Sequence, residues 1–223
     1  MSTDIRIKKG LDLKLVGEAQ ATIATVSRSQ VYSIKPSDFH KVTPKLVLKE
    51  GAEVKAGEVI FYSKDDEAVK FVSPVSGKIV EIKRGEKRKL LEIKILADAE
   101  ITYESFEKFT ESSLKTLTKE TAVAQLCKGG VWPQLIQRPF GIVANPQDSP
   151  KAIFISGFDT NPLSPDYAFT LKGEEKYFQA GVLVLQKLTS GKVHLGLELD
   201  AEIAPVFANV QGVQVNKFSG QHP

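Results

Sequence analysis

Few residues in this 223-residue chain have side chains suited to nucleophilic or metal chemistry. Cys127 is the one thiol, so no second sulfur exists for a disulfide, a zinc site or an iron–sulfur cluster. On the inner side of a predicted helix it reads as a small core residue rather than a nucleophile. His40, His194 and His222 are dispersed, with no ligand spacing between them. Asp65-Asp66-Glu67 lacks the pattern of a calcium loop. G-x-G-x-x-G, G-x-x-x-x-G-K-[ST] and G-x-S-x-G are all absent, which leaves no phosphate cradle and no nucleophile elbow. Metal: none, and catalytic residue: none, is therefore the expectation.

Three stretches hold the remaining candidates. Asp159-Thr-Asn-Pro-Leu163 follows a predicted strand, the usual place for a site in an open α/β sheet. The same residues also suit a turn, with Asp159 and Asn161 bonding backbone amides and Pro162 fixing the bend. In Gln137-Arg-Pro-Phe140, Arg138 is available either to pair with Asp159 or to hold a carboxylate or partner. The run Lys83-Arg-Gly-Glu-Lys-Arg-Lys89 suits a solvated hairpin, or a docking patch for an acidic partner.

The elements that position these residues change in character along the chain. From Ile5 to about Leu96, short β-branched runs are broken by glycine and proline: 21–26, 45–49, 59–62, 69–72, 77–82 and 90–95. This spacing predicts a small antiparallel module. Leu46/Leu48, Ile79/Ile82 and Leu91/Ile93/Ile95 are expected to face inward, with a twist or bulge near Val80 to keep period two. A helix is expected from Thr118 to the Gly129-Gly130 pair, then a short one over 132–138 with Pro133 in its first turn. The last third alternates strand 151–156, helix 174–189, strand 193–198, helix 201–208 and strand 213–218, a βαβαβ pattern that predicts a parallel, Rossmann-like sheet. The expected division is a β module over 1–100 and an α/β module over 101–223 that continues beyond the C-terminal residue.

Composition sets outer bounds. Hydrophobic residues make up 42% and charged residues 26%, as in an ordinary globular protein. Apolar runs such as 152–155 and 182–185 fall far short of the ~20 residues that span a bilayer. A net charge of +3 is too balanced for a phosphate-tracking surface, so no nucleic acid partner is expected. The N-terminus lacks a secretory apolar core, which suggests a cytosolic location.

Two local resemblances sharpen this reading. Lys49 to Phe61 with Ser73-Pro-Val-Ser-Gly77 resembles the biotinyl/lipoyl carrier fold, in which Gly51 and Gly57 would serve tight turns and Pro74 and Gly77 the return from a hairpin. Carriers attach their cofactor to a lysine at the hairpin tip, and counting back from Gly77 reaches Asp66. The module is therefore expected to be a scaffold without the attachment lysine. Lys128-Gly-Gly-Val-Trp-Pro133 is similar to the glycine-rich flavin loop of NADH-dehydrogenase flavoprotein subunits, but Val131 and Trp132 stand where that loop needs small residues.

A wider resemblance runs from end to end. Residues 5–13, Val54-Lys-Ala-Gly-Glu-Val59, Ser73–Gly77, Arg84-Gly-Glu-Lys-Arg88, Arg138-Pro-Phe140, Asp159–Leu163 and Phe218-Ser-Gly-Gln-His-Pro223 look like the A-subunit of the Na+-translocating NADH:quinone reductase. The fold this implies is mixed α/β: a biotinyl/lipoyl-like β barrel-sandwich followed by a Rossmann-like module. The resemblance implies a peripheral subunit on the cytoplasmic face of the membrane, without a span of its own. Its partners would be the other subunits of that sodium-pumping complex and ubiquinone or a related quinone. No cofactor is expected in this chain; FMN, FAD, riboflavin and iron–sulfur centres would belong to partner subunits. A quinone headgroup needs a flat apolar wall and one or two donors. Trp132, Arg138, Phe140 and Phe158, with Asp159 and Asn161, are the positions proposed for quinone or partner contact. The alternatives are an electron-transport subunit of the related cluster- and flavin-linked complex, which one cysteine argues against, and a cofactor-free interaction module or degenerate carrier.

Overall fold

A computed structural model of the chain describes residues 3–11, 13, 15–17, 19–161 and 163–220. Asp12, Pro162 and the closing Gln221-His222-Pro223, all in motifs singled out above, lie outside the described residues. In chain order the strands and helices are β1 Thr3–Ile7, β2 Val31–Ile34, β3 Pro44–Leu46, β4 Glu53–Val54, β5 Val59–Ser63, β6 Lys70–Val72, β7 Gly77–Arg84, β8 Leu90–Ala97, α1 Glu111–Thr116 and α2 Lys119–Lys128. There follow β9 Ile136–Gln137, β10 Ile142–Val143, β11 Ala152–Ser156, α3 Tyr167–Thr170, α4 Glu175–Leu188, β12 Lys192–Glu198, α5 Pro205–Ala208 and β13 Gln214–Gly220.

These elements form two compact units that are not consecutive halves of the chain. One comprises Val26–Lys108 and Lys119–Asp148; the other comprises the described residues of Met1–Thr25, Phe109–Thr118 and Ser149–Pro223. The first is the β unit. Its sheets run β2-β8-β7-β4 and β3-β5-β6, with every strand pair antiparallel. Ile60, Phe61, Phe71, Ile79, Ile93 and Ile95 are buried in its core, where the Phe61 and Phe71 rings stack at 4.4 Å. A register shift between Val59 and Phe61 lets two successive residues, Ile60 and Phe61, both point inward. The bulge expected near Val80 is present as a shift between Ile79 and Glu81. A second shift, between Lys83 and Arg84, buries Leu90 in place of the expected Leu91.

The glycines of the carrier-like stretch do the work expected of them. Gly51 and Gly57 have φ of +86° and +90°, and their amides donate to Ile79 O at 2.7 Å and Ser73 O at 2.8 Å. Ser73 and Ser76 are buried but not orphaned: Ser73 Oγ donates to Val75 O and Ser76 Oγ accepts from the Thr102 amide at 2.9 Å. At the tip between β5 and β6, Asp66 accepts from the Ala68 amide at 2.9 Å. The turn that follows α2 has Gly130 at φ +68°, where a Cβ would meet a Val72 methyl at 2.6 Å. Close packing and a left-handed turn therefore explain that glycine.

The second unit carries a four-stranded parallel sheet, β1-β13-β12-β11. Strand, α4, strand, α5, strand reproduces the βαβαβ alternation. Val193, Leu195 and Leu197 alternate inward along β12, and Leu195 and Leu197 share a core with Val206 and Phe207, on which Phe178 of α4 packs. Four expectations are corrected. Thr3–Ile7 is not part of the antiparallel module; it pairs parallel with β13, because a strand pattern specifies a strand but not its partner. Residues 21–26 form no strand: Ile23 and Val26 are 89% and 81% exposed, and β-propensity without a partner to pack on does not make one. Residues 132–138 are not one helix but a 3-10 turn, Trp132–Gln134, then β9, which pairs with β10; the residue before Pro139 is biased to extended backbone. The helix expected from 201 begins at Pro205, which fixes the first helical φ.

Candidate functional site

The α/β unit opens a cleft of about 340 Å³ beyond the C-terminal ends of β11 and β12. Its floor is Leu197, Ile203, Ala204 and Phe207, and its rim is Phe158, Asp159, Tyr167, Glu198 and Glu202. Parallel strands all deliver their C-terminal ends to one edge, so the loops leaving β11 and β12 must meet there. The loop after β11 starts at Gly157, where a Cβ would meet Leu197 Cδ2 at 2.7 Å; glycine is what lets the two strand ends close up.

Hydrogen bonding decides what each polar group has to spare. The Asp159 carboxylate accepts from the Asn161 backbone amide at 2.9 Å and from Asn161 Nδ2 at 2.7 Å. Those bonds, led by the backbone one and joined by the Ser164 hydroxyl, hold its carboxyl pKa below the ordinary aspartate range. Asp166 caps α3, accepting from the amides of Ala168 at 2.8 Å and Phe169 at 3.2 Å. Two carboxylates of the loop are thus committed to its shape. The half-buried Tyr167, packed on the core cluster, lines the cleft with a phenol that can donate. Phe158, half-buried, sets its ring 6.0 Å from that of Phe218.

The six candidate positions divide between the units. Phe158 and Asp159 line the cleft and Asn161 shapes its loop. Trp132, Arg138 and Phe140 belong to the β unit. Trp132 is buried and its indole N–H donates to Ala144 O at 2.7 Å, so its donor is spent inside the core. Arg138 is exposed and Phe140 is 66% exposed. Sequence reasoning missed Tyr167; the signal was Asp166 followed by an aromatic, a cap that starts a helix just past the loop. Cys127 is buried and its thiol is pushed up to about 11, chiefly by burial, which makes it inert. Among the described residues no group of three or more His, Cys, Asp or Glu is arranged to hold a metal, and no helix is long and apolar enough to cross a membrane.

The two folds match known families in the same order. Residues 5–98 match the NqrA N-terminal barrel-sandwich hybrid domain, and residues 117–223 match the NqrA second alpha/beta domain. The chain belongs to the NqrA family. It is 35% identical over 218 residues to the A-subunit of the Na(+)-translocating NADH-quinone reductase of Marinomonas sp. (strain MWYL1), covering 98% of this chain and 48% of that relative. The proteins of the same name from Alcanivorax borkumensis and from Neisseria meningitidis serogroup A are 36% and 34% identical, again over 98% of this chain and 48% of theirs. The chain thus spans about half the length of the curated NqrA relatives it matches.

Proposed function

We propose that this chain serves as the peripheral NqrA component of a sodium-pumping NADH:quinone oxidoreductase, on the cytoplasmic face of the membrane, where it contributes to quinone binding and to docking of the other subunits. The observation that carries the reading is the match of both modules, in order, to the two NqrA domains. The chain acts as part of an enzyme rather than as one alone: hydride and electron transfer run through FMN, FAD, riboflavin and iron–sulfur centres held by partner subunits. A cluster-carrying electron-transport subunit would need several thiolates, and one cysteine cannot supply them.

In this reading the quinone contact on the described chain is the cleft of the α/β unit. Phe158 and Phe207 provide flat apolar walls and the Tyr167 hydroxyl a donor for a quinone carbonyl. The exposed Arg138 and Phe140 of the β unit are partner contacts. Photo-crosslinking with a quinone analogue tests the placement: label on 157–168 or 197–207 is expected, reduced in Tyr167→Phe. Label confined to other residues rules the cleft out as the quinone contact. The purified chain is expected to be colourless, and stoichiometric flavin or cluster absorbance contradicts the assignment of cofactors to partners.

A further inference from the structure

The hairpin joining β7 to β8 holds more positive charge than the chain carries net. Residues 83–89 carry five cations, Lys83, Arg84, Lys87, Arg88 and Lys89, against the single carboxylate of Glu86. That is a net +4 in a chain whose total is +3, so the other residues together net −1. All six charged residues are exposed. Down the stem, charges have partners: Lys94 Nζ meets Glu81 at 2.7 Å, and Ser33 Oγ donates to Glu92 at 2.5 Å. The tip is different. Arg84 donates to Arg88 O at 3.1 Å and Lys83 lies across the ladder from Glu92, while Lys87, Arg88 and Lys89 make no ion pair or side-chain hydrogen bond with a described residue.

The backbone there is also held against local preference. Lys87 and Arg88 have φ of +51° and +60°, successive left-handed positions that glycine, asparagine or aspartate would occupy with less strain. The turn is closed by Gly85 N donating to Lys89 O at 2.8 Å and Lys89 N to Glu86 O at 3.1 Å, and Leu91 packs beneath Gly85. Solubility needs cations somewhere on a surface, not at two strained positions in a row. Strain of this kind persists where a fixed arrangement is used.

We propose that the Lys83–Lys89 tip is a preshaped docking point for a carboxylate-rich protein surface. Attraction to an anionic bilayer is diffuse and works through flexible basic segments, so it gives no reason for a rigid, strained turn with a carboxylate in its middle. A protein surface with fixed carboxylates does. This deepens the docking part of the function proposed above and rests on it for biological context.

The test uses the intact chain, labelled with ¹⁵N, titrated with a decaglutamate peptide at low and at physiological salt. Amide shifts confined to 83–90, weakening with salt, are expected. Lys87→Gln with Arg88→Gln should weaken binding by about fivefold, whereas Lys108→Gln with Lys172→Gln, the same loss of charge elsewhere, should stay within about twofold. Equal losses in both variants, shifts spread over many surface lysines, or no binding overturn the proposal. So does tip-dependent binding to phosphatidylglycerol vesicles in place of the peptide. No other protein of the complex enters this experiment, so its failure leaves the proposed function standing, and loss of that function would leave a measured acidic-peptide site unexplained but real.

Discussion

Replacing Gly77 by alanine puts a methyl carbon 2.0 Å from Leu96 O and 2.9 Å from Ala97 Cα, with φ at +152° where side chains are rarely tolerated. Neither neighbour can rotate away, because both are backbone atoms of β8, paired with β7 from Gly77 to Arg84. The conformational strain is worth about 1–3 kcal/mol. Moving β8 aside sacrifices one or two ladder hydrogen bonds at about 1 kcal/mol each. The total is about 2–5 kcal/mol, a large part of the ~5–15 kcal/mol that holds a domain folded. Trp132 is the only tryptophan, is buried, and belongs to the same unit, so its fluorescence reports the unfolding of that unit. With a urea slope of about 2 kcal/mol/M, the midpoint should fall by roughly 1–2.5 M. Gly51→Ala is the control: φ is +86° but nothing lies within 4 Å of the added methyl, so only the strain of about 1–3 kcal/mol applies. A Gly77→Ala protein within about 1 kcal/mol of wild type, or no weaker than Gly51→Ala, refutes the steric reasoning.

Two further outcomes follow from the titrating groups. The Cys127 thiol, raised from 9.0 to about 11, should resist alkylation at mildly alkaline pH in the folded chain and react in urea. Its linkage has a definite sign: between about pH 9 and 11 the unfolded chain loses this proton and the folded one keeps it, so stability falls as pH rises, and that part of the fall disappears in Cys127→Ala. For Asp159 the direction is opposite. Its carboxyl is held low by the Asn161 amide, so the turn is intact above the ordinary aspartate range and loosens as pH falls through the lowered value; an NMR titration of the Asn161 amide should show that low inflection.

Much of this architecture was legible because its signals are local. Gly129-Gly130 ends α2, Pro205 opens α5, and the period-two misfit around Val80 announces a bulge that backbone register confirms. Partners across the chain were not legible. Nothing in Thr3–Ile7 says that it joins β13, more than two hundred residues away in sequence, rather than the nearby antiparallel strands. The candidate site was legible in part. The loop after β11 falls at a strand's C-terminal end, as topology requires. Residue type makes Trp132 look like a wall, but it cannot reveal that the indole N–H is already bonded to Ala144 O. Tyr167 escapes notice because a tyrosine in a short polar stretch looks like any surface aromatic until α3 turns it onto Phe207 and its neighbours.

Co-purification tests the proposed function most directly. The chain, tagged and extracted in mild detergent from the membranes of its own cell, should bring with it flavin-bearing partners in fixed stoichiometry and NADH:quinone oxidoreductase activity stimulated by sodium. Recovery of the chain free of any membrane flavoprotein, or with the flavin bound to the chain itself, would contradict it.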